Sequence, residues 1–306
     1  MTRTYKTPES FKTALEQRLR ARATKLRTTI VRERTLLVFD RMLARVGQEF
    51  GDCATLKGGF ALELRLARAR ATNDVDLHLM GSPADVLQRL QAAGRLDLGD
   101  YMRYETVIDP EHPHITGAGV QYGGHRFWAE CQIAGKLFAN RFGIDIAFGG
   151  PIFGELETIT ADDILDFIGV PPPSIRVYPI ETHLAEKLHA YTMPRDDLHP
   201  NSRVKDLPDL ALLATTGPLR ADTIRGALSR TFKHRATHGV PRTLPDPPPA
   251  WADSYAHIAQ QDGLPWPTLA TVMDAARRFL DPVLSADDSL AWSPQDWTWS
   301  PVPAPP

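Results

Sequence analysis

Residues 73–79 read Asn-Asp-Val-Asp-Leu-His-Leu. Polar and aliphatic residues alternate along it, which predicts a β-strand with one face against a core. Because side chains two apart on a strand share a face, Asp74 and Asp76 are expected to present their carboxylates together. Two adjacent carboxylates repel each other, and a hard divalent cation such as Mg²⁺ relieves that repulsion. Such a pair is also common at solvated strand ends, so its meaning depends on the neighbouring sequence.

Two neighbouring patterns favour a site for phosphate and metal. Upstream, Lys57-Gly58-Gly59 precedes a predicted helix, where backbone N–H groups can approach a phosphate closely. Downstream, Ile144-Asp145-Ile146 places a single acid in an otherwise apolar strand, and a buried carboxylate needs a partner. Residues 124–134 and 139–148 are predicted to form an antiparallel hairpin that contains this strand. The order of a glycine turn, a helix, an Asp-x-Asp strand and a later strand with one acid resembles the layout of the nucleotidyltransferase fold.

The second half of the chain makes the resemblance more specific. The motifs are Gly58-Gly59, Arg70-Ala71-Thr72-Asn73-Asp74-Val75-Asp76, Ile144-Asp145-Ile146, Ala185-Glu186-Lys187-Leu188-His189-Ala190 and Arg203-Val204-Lys205-Asp206-Leu207-Pro208-Asp209-Leu210. Together, over residues 50–215, they resemble the AbiEii/AbiGii family, the nucleotidyltransferase toxins of type IV toxin–antitoxin systems. Two positions depart from the pattern. The broader fold usually has Gly-Ser where this chain has Gly58-Gly59, and Pro208 stands where the family commonly has an aromatic residue.

The resemblance implies an architecture of two lobes. Residues 1–170 are expected to form an α/β (α+β) nucleotidyltransferase domain with a mixed sheet. Residues 171–306 are expected to form a mostly helical domain that ends in a Pro-rich tail from residue 293. The run Pro171–Pro173 is the candidate linker between them. The active site is expected between the two lobes.

The resemblance also implies a set of site residues. Asp74, Asp76 and Asp145 would bind two Mg²⁺ ions, and Lys187 and Asp206 complete the predicted catalytic set. The predicted nucleotide-binding residues are Lys57, Gly58, Gly59, Arg70, Thr72, Lys187, Arg203, Lys205 and Asp209. Purely structural roles stay open for several of these residues. Thr72 could cap a turn, and Arg203 or Lys205 could pair with Asp206 or Asp209. Glu186 is expected to support the structure by pairing with Arg203 or Arg195.

The implied reaction is transfer of a nucleoside monophosphate from an NTP. In some relatives the acceptor is the 3′ end of tRNA, and a cognate antitoxin is implied by the family. Two alternatives remain at this point: transfer to a protein hydroxyl, and a catalytically idle nucleotide-binding or antitoxin-like module. The presence of all three carboxylates and of Lys187 argues against the idle module.

The charge distribution excludes one class of function. The net charge is −2 over 306 residues, whereas proteins that coat nucleic acid carry a basic excess. Basic residues are concentrated in residues 18–34, which are either a solvated helix face or a contact for RNA phosphates. Residues 246–306 are acidic and rich in Trp and Pro, and no function follows from that composition.

The sequence also predicts where the protein works. No apolar run approaches the ~18 residues needed to span a bilayer, and the first ten residues, MTRTYKTPES, lack the apolar core of a signal peptide. We therefore expect a cytoplasmic protein with no membrane partner. Cys53 and Cys131 are expected to be reduced, buried thiols rather than a disulfide.

Overall fold

The computed structural model describes residues 5–66, 71–81, 84–115, 123–195, 201–285 and 289–302. The helices are α1 (Pro8–Leu26), α2 (Ile30–Phe50), α3 (Gly58–Arg65), α4 (Val86–Arg95), α5 (Ile180–Thr192), α6 (Asp206–Leu213), α7 (Ala221–Arg235), α8 (Ala252–Asp262) and α9 (Leu269–Leu284). The strands are β1 (Ala54–Lys57), β2 (Asp74–Leu79), β3 (Met102–Ile108), β4 (Gly124–Ile133), β5 (Lys136–Leu137), β6 (Phe142–Phe148), β7 (Glu157–Thr160), β8 (Ser174–Val177), β9 (Leu219–Arg220), β10 (Leu290–Ser293) and β11 (Thr298–Pro301).

The larger sheet is mixed, as predicted for the N-terminal half. Within the described ranges its strand order is β3-β4-β6-β2-β1-β8-β7, and β5 pairs with β4. Strand β2 runs parallel to β6, and β1 runs parallel to β8. The remaining neighbours are antiparallel. The predicted hairpin is confirmed, because β4 and β6 pair in antiparallel register.

The alternation in β2 and β6 orients the sheet. Val75, Leu77, Ile144 and Ile146 are at most 1% exposed and lie in one hydrophobic cluster with side chains of α1, α2 and α4. Residues at odd and even positions of a strand point to opposite faces. The acids between these aliphatic residues therefore project from the other face, away from α1, α2 and α4.

The N-terminal helical region is interrupted. The sequence pattern from Ser10 to Phe50 is helical, and the structure divides this stretch into two helices. Arg27 adopts a left-handed conformation with φ of 55° and ends α1. The hydroxyl of Thr29 then accepts the backbone N–H of Arg32 and caps α2. A threonine cap satisfies a free N–H of a new helix, which favours a start at this point.

The C-terminal half is mostly helical. Helices α5 to α9 share a second hydrophobic cluster, to which Leu62 of α3 contributes. A small antiparallel sheet of order β11-β10-β9 packs on that cluster. The predicted Pro-rich tail from residue 293 is therefore wrong for Thr298–Pro301, which form β11. The cause is the burial of aromatic side chains: Trp292 is 1% exposed, and its ring centroid lies 5.0 Å from that of Phe279.

Three further points bear on the predictions. The proline run leads into β8 of the larger sheet rather than into a helix, and a domain division after residue 170 stays a prediction. Cys131 is buried as expected, whereas Cys53 is exposed because it lies in the surface turn before β1, and both are free thiols. In the described ranges, no helix has the length and apolar character required to cross a membrane.

Candidate active site

A row of four charged side chains crosses the larger sheet. Its members are Lys57, Asp76, Asp145 and Arg126, on β1, β2, β6 and β4. Asp76 is directly opposite Lys57 on one side and Asp145 on the other. Asp145 is in turn opposite Arg126. Residues directly opposite each other on neighbouring strands project from the same face of the sheet, so the order of charges along the row is positive, negative, negative, positive.

Close contacts hold the carboxylates of Asp76 and Asp74 in position. Gly58 begins α3 with φ of +68°, and a Cβ atom there would lie 1.9 Å from Oδ2 of Asp76. Only glycine accommodates both that backbone conformation and that contact. Beside it, the hydroxyl of Thr72 donates to Oδ1 of Asp74 at 2.6 Å. The hydroxyl thus holds a carboxylate in this arrangement, and a contact from Thr72 to nucleotide remains a prediction.

Asp74 and Asp76 fit a hard divalent cation. Both supply carboxylate oxygens, the ligands that Mg²⁺ prefers, and no donor among the described residues hydrogen-bonds to Asp76. Burial first, and then the charge of Asp74, raises the pKa of Asp76 to about 7. Asp145 adds to the rise, whereas Lys57 and Lys187 oppose it. The pair therefore holds negative charge that its protein surroundings do not fully offset, which is the condition that a bound cation would relieve.

The third predicted metal ligand has a protein partner instead. Arg126 donates Nε–H to Oδ1 of Asp145 at 2.8 Å and Nη2–H to Oδ2 at 2.7 Å. Nowhere in the described part of the chain do three acidic, histidine or cysteine side chains converge on one possible ion position. As arranged, Asp74 and Asp76 fit a cation, and Asp145 is held by a guanidinium that the sequence motifs do not include.

Lys187 faces the acids at the start of α6. Its ammonium nitrogen lies 3.0 Å from Oδ1 of Asp206 and 2.6 Å from Oδ2 of Asp209. Both acids are buried, with 4% and 0% exposure. Arg203 lies 2.7 Å from the second oxygen of Asp206, which agrees with the alternative that it pairs with an acid. Both predicted acids thus hold the predicted lysine, in a buried cluster that orients the ammonium group.

Glu186 has different partners from those expected. It pairs with Lys57 at 3.1 Å and with Arg235 at 3.4 Å, so the prediction of Arg203 or Arg195 is wrong. The physical reason is that α5 packs on α7, which carries Arg235, and faces the β1–α3 junction, which carries Lys57. Burial opposes ionisation, but Lys57 and Arg235 outweigh it and lower the pKa of Glu186 to about 2. This carboxylate links the sheet to the helical half.

These groups line one cleft of about 790 Å³ between the sheet and the helices. The predicted residues that line it are Lys57, Gly58, Gly59, Thr72, Asp74, Asp76, Asp145, Lys187, Arg203, Lys205 and Asp206. Asp209 is buried behind Lys187, and Arg70 lies outside the described residues. The cleft also contains residues that the motifs did not predict: Arg126, His183, Arg195, His234 and Arg235.

His183 is the most deeply placed of these additional residues. It lies one helical turn before Lys187 and is 2% exposed. In the described structure, neither of its ring nitrogens has a hydrogen-bond partner. Burial, followed by the charge of Lys187, lowers the pKa of His183 to about 3. The imidazole is therefore neutral near pH 7, with one donor and one acceptor toward the cleft.

Comparison with known proteins connects this cleft to a family. The model of the family described as "Nucleotidyl transferase AbiEii toxin, Type IV TA system" matches residues 41–291. Among solved structures, the fold is similar to that of MenT4, a nucleotidyltransferase toxin from Mycobacterium tuberculosis, with a TM-score of 0.58 and 16% identity. That match covers 94% of this chain and 92% of the other.

A further solved structure, JHP933 from Helicobacter pylori, matches with a TM-score of 0.42 and 16% identity, covering 82% of this chain and 87% of that one. No curated protein matches the sequence. The family match includes every motif quoted above and the described walls of the cleft. The chain belongs to the AbiEii family and is a nucleotidyltransferase toxin of the type IV toxin–antitoxin class.

Proposed function

We propose that this toxin transfers a nucleoside monophosphate from an NTP to the 3′ end of an RNA, tRNA in particular, in a reaction that depends on Mg²⁺. A tRNA extended in this way cannot be aminoacylated, and translation is blocked. The observation that carries the proposal is the cleft itself. It brings Asp74 and Asp76, on one side, together with Lys187 and Arg203 on the other.

The residues divide by the part of the NTP that they suit. Asp74 and Asp76 would hold Mg²⁺, which would neutralise the triphosphate and polarise the reacting phosphorus. Lys187, with Arg203 and Lys205, carries positive charge suited to the β- and γ-phosphates and to the pyrophosphate that leaves. The backbone at Gly58 and Gly59 begins α3, where N–H groups favour an anion. Asp206 and Asp209 hold the ammonium of Lys187 in position.

The transfer itself is a single displacement at phosphorus. The acceptor's hydroxyl oxygen bonds to the α-phosphorus while the bond from that phosphorus to the bridging oxygen breaks. Pyrophosphate leaves with the electron pair of the broken bond. The hydroxyl proton passes to the carboxylate of Asp145, which lies next to Asp76 across the strands, and then to water.

The rim of the cleft supports an RNA acceptor. Arg195, Arg203 and Lys205 are exposed there, and such cations suit the phosphates that flank an RNA 3′ end. The basic segment 18–34 has fewer arginines available for RNA than its composition indicates. Three of its arginines are held in ion pairs within the protein: Arg22 with Glu33 and Asp162, Arg32 with Glu63, and Arg34 with Glu16. The RNA contact is therefore proposed at the cleft, and the site of action in the cytoplasm.

A labelling assay tests the proposal. The protein is incubated with each α-³²P-labelled NTP, MgCl₂ and total tRNA, and the products are separated on a denaturing gel. Label is expected in tRNA, to depend on Mg²⁺ and to disappear when the tRNA 3′ end has first been oxidised with periodate. Label in protein bands of a cell extract, with none in RNA, would show a protein acceptor instead. No label in either fraction from a folded protein would refute transfer.

A further inference from the structure

Arg126 and Asp145 form an ion pair at the mouth of the cleft. Two parallel hydrogen bonds of 2.8 and 2.7 Å join the guanidinium to both carboxylate oxygens, the strong form of arginine–carboxylate pairing. The Asp145 side chain is 16% exposed and that of Arg126 is 37% exposed. The acid is thus enclosed, while the guanidinium has access to solvent and room to turn.

The guanidinium stands where a cation at Asp145 would have to bind. Asp145 is opposite Asp76 in the sheet, so an ion shared by these two carboxylates would lie close to Arg126 and be repelled by it. Asp74 and Asp109 also attract Arg126 in this position. Without nucleotide, the guanidinium of Arg126 therefore occupies the position at Asp145 that a divalent cation would take.

We propose that Arg126 is a positioning residue that keeps Asp145 from taking a divalent cation until a nucleoside triphosphate occupies the cleft. The inference rests on the proposed function, because the triphosphate is the polyanion that draws the guanidinium away. Phosphate oxygens match the arginine fork as well as a carboxylate does. The turn of Arg126 toward phosphate then leaves Asp145 free to work beside Asp76.

The test measures Mn²⁺ binding in the absence of nucleotide, with free Mn²⁺ counted by its electron paramagnetic resonance signal. Arg126→Gln keeps the length of the side chain and removes its charge. We expect this variant to bind Mn²⁺ about tenfold more tightly than the wild type, the scale of one lost charge-assisted pair. The double variant Arg126→Gln/Asp145→Asn is expected to lose that gain, because the carboxylate that Arg126 guards is gone.

A matched control is Arg103→Gln, since Arg103 is an exposed arginine on β3, the strand beside β4, and does not line the cleft. Its Mn²⁺ affinity should equal that of the wild type, and thermal melts should show that all the variants are folded. An unchanged affinity in Arg126→Gln would overturn the proposal. So would a gain that persists in the double variant, because it would not arise from Asp145.

The nucleotide's part is tested by repeating the titration with a saturating non-hydrolysable NTP. The difference between wild type and Arg126→Gln should shrink to less than about twofold, since Asp145 of the wild type is then as free of the guanidinium as it is in the variant. A difference of unchanged size with nucleotide bound would overturn the exchange. If the protein binds no NTP, the proposed function is refuted. The comparison without nucleotide still decides whether Arg126 blocks cation binding at Asp145.

Discussion

Gly58 and Asp76 are in such close contact that position 58 has no room for a side chain. A Cβ atom on Gly58 would lie 1.9 Å from the Asp76 carboxylate oxygen and 2.6 Å from its carbon, and the backbone there is left-handed. The first residue of α3 and the central acid of β2 therefore constrain each other. The glycine of the family motif is needed for the position of the carboxylate, in addition to any contact with phosphate.

Gly58→Ala should displace the Asp76 carboxylate and lower the transfer rate by about 100-fold or more, the effect expected of a misplacement near 1 Å. The rate is measured with labelled NTP and tRNA. Gly47→Ala is the matched control, because a Cβ atom at Gly47 meets nothing within 4 Å and alanine favours the helix. Equal rates in the two variants would contradict the structural role of Gly58.

Lys187 should be needed for both activity and stability. Lys187→Gln removes the cation between Asp206 and Asp209, which are almost fully buried. Breaking a buried ion pair from one side costs about 3–5 kcal/mol, so the free energy of unfolding in urea should fall by a large part of that range. Activity must be compared at a temperature where the variant is folded. Asp209→Asn should retain more activity than Lys187→Gln, since only the orienting partner is altered; the reverse order would count against the assigned roles.

The raised pKa of Asp76 predicts a pH-dependent stability. Its folded pKa of about 7 lies above the ordinary value of 3.8, so between these values the folded protein holds a proton that the unfolded chain has released. The contribution of Asp76 to the free energy of unfolding should therefore fall as the pH rises from about 4 to 7 and then level off. Asp76→Asn cannot ionise, and its advantage over the wild type should grow across that window to about 4 kcal/mol.

Urea unfolding at several pH values measures this difference. Adding MgCl₂ at pH 8 should reduce the advantage of Asp76→Asn, because the cation stabilises the ionised wild-type carboxylate. Asp52→Asn is a suitable control, since that carboxylate is 91% exposed. A difference between Asp76→Asn and wild type that does not vary with pH would contradict a raised pKa.

The small C-terminal sheet should contribute to the stability of the helical half. Trp292 is 1% exposed, and its indole N–H donates to the carbonyl of Ala214 at 2.7 Å. Trp292→Ala should lower the free energy of unfolding by about 3–5 kcal/mol, and Trp292→Phe by less because the ring is largely kept. Trp266→Phe, at a more exposed tryptophan, is the comparison. A Trp292→Ala variant as stable as wild type would contradict a structural role for the small C-terminal sheet.

The spacing of apolar residues in the sequence was sufficient to predict individual strands and helices. The two-residue period of β2 and β6 predicted which side chains enter the core and which acids share a face. The sequence patterns of residues 181–191 and 207–214 are typical of helices, and α5 and α6 form there. In each case the physical cause lies within a few residues along the chain.

The partners of the charged residues could not be obtained in this way. Arg126 pairs with Asp145 through the register of β4 and β6, and the short strand β5 in their connection alters that register. Hydrophobic alternation in the hairpin does not determine it. Likewise, Glu186 joins Lys57 and Arg235 only because tertiary packing brings together three distant segments. The C-terminal strands were missed because prolines around Trp292 and Trp299 indicated a tail, while burial of the indole rings decides otherwise.

The row of four charges across the sheet has a consequence for how the toxin folds. Lys57 and Arg126 balance Asp76 and Asp145 formally, so the sheet brings its own counter-ions to the place where the chemistry is proposed. Proteins whose metal sites lack such internal balance often depend on the ion in order to fold. We therefore expect the newly made chain to fold without the divalent cation, on which the proposed transfer reaction depends.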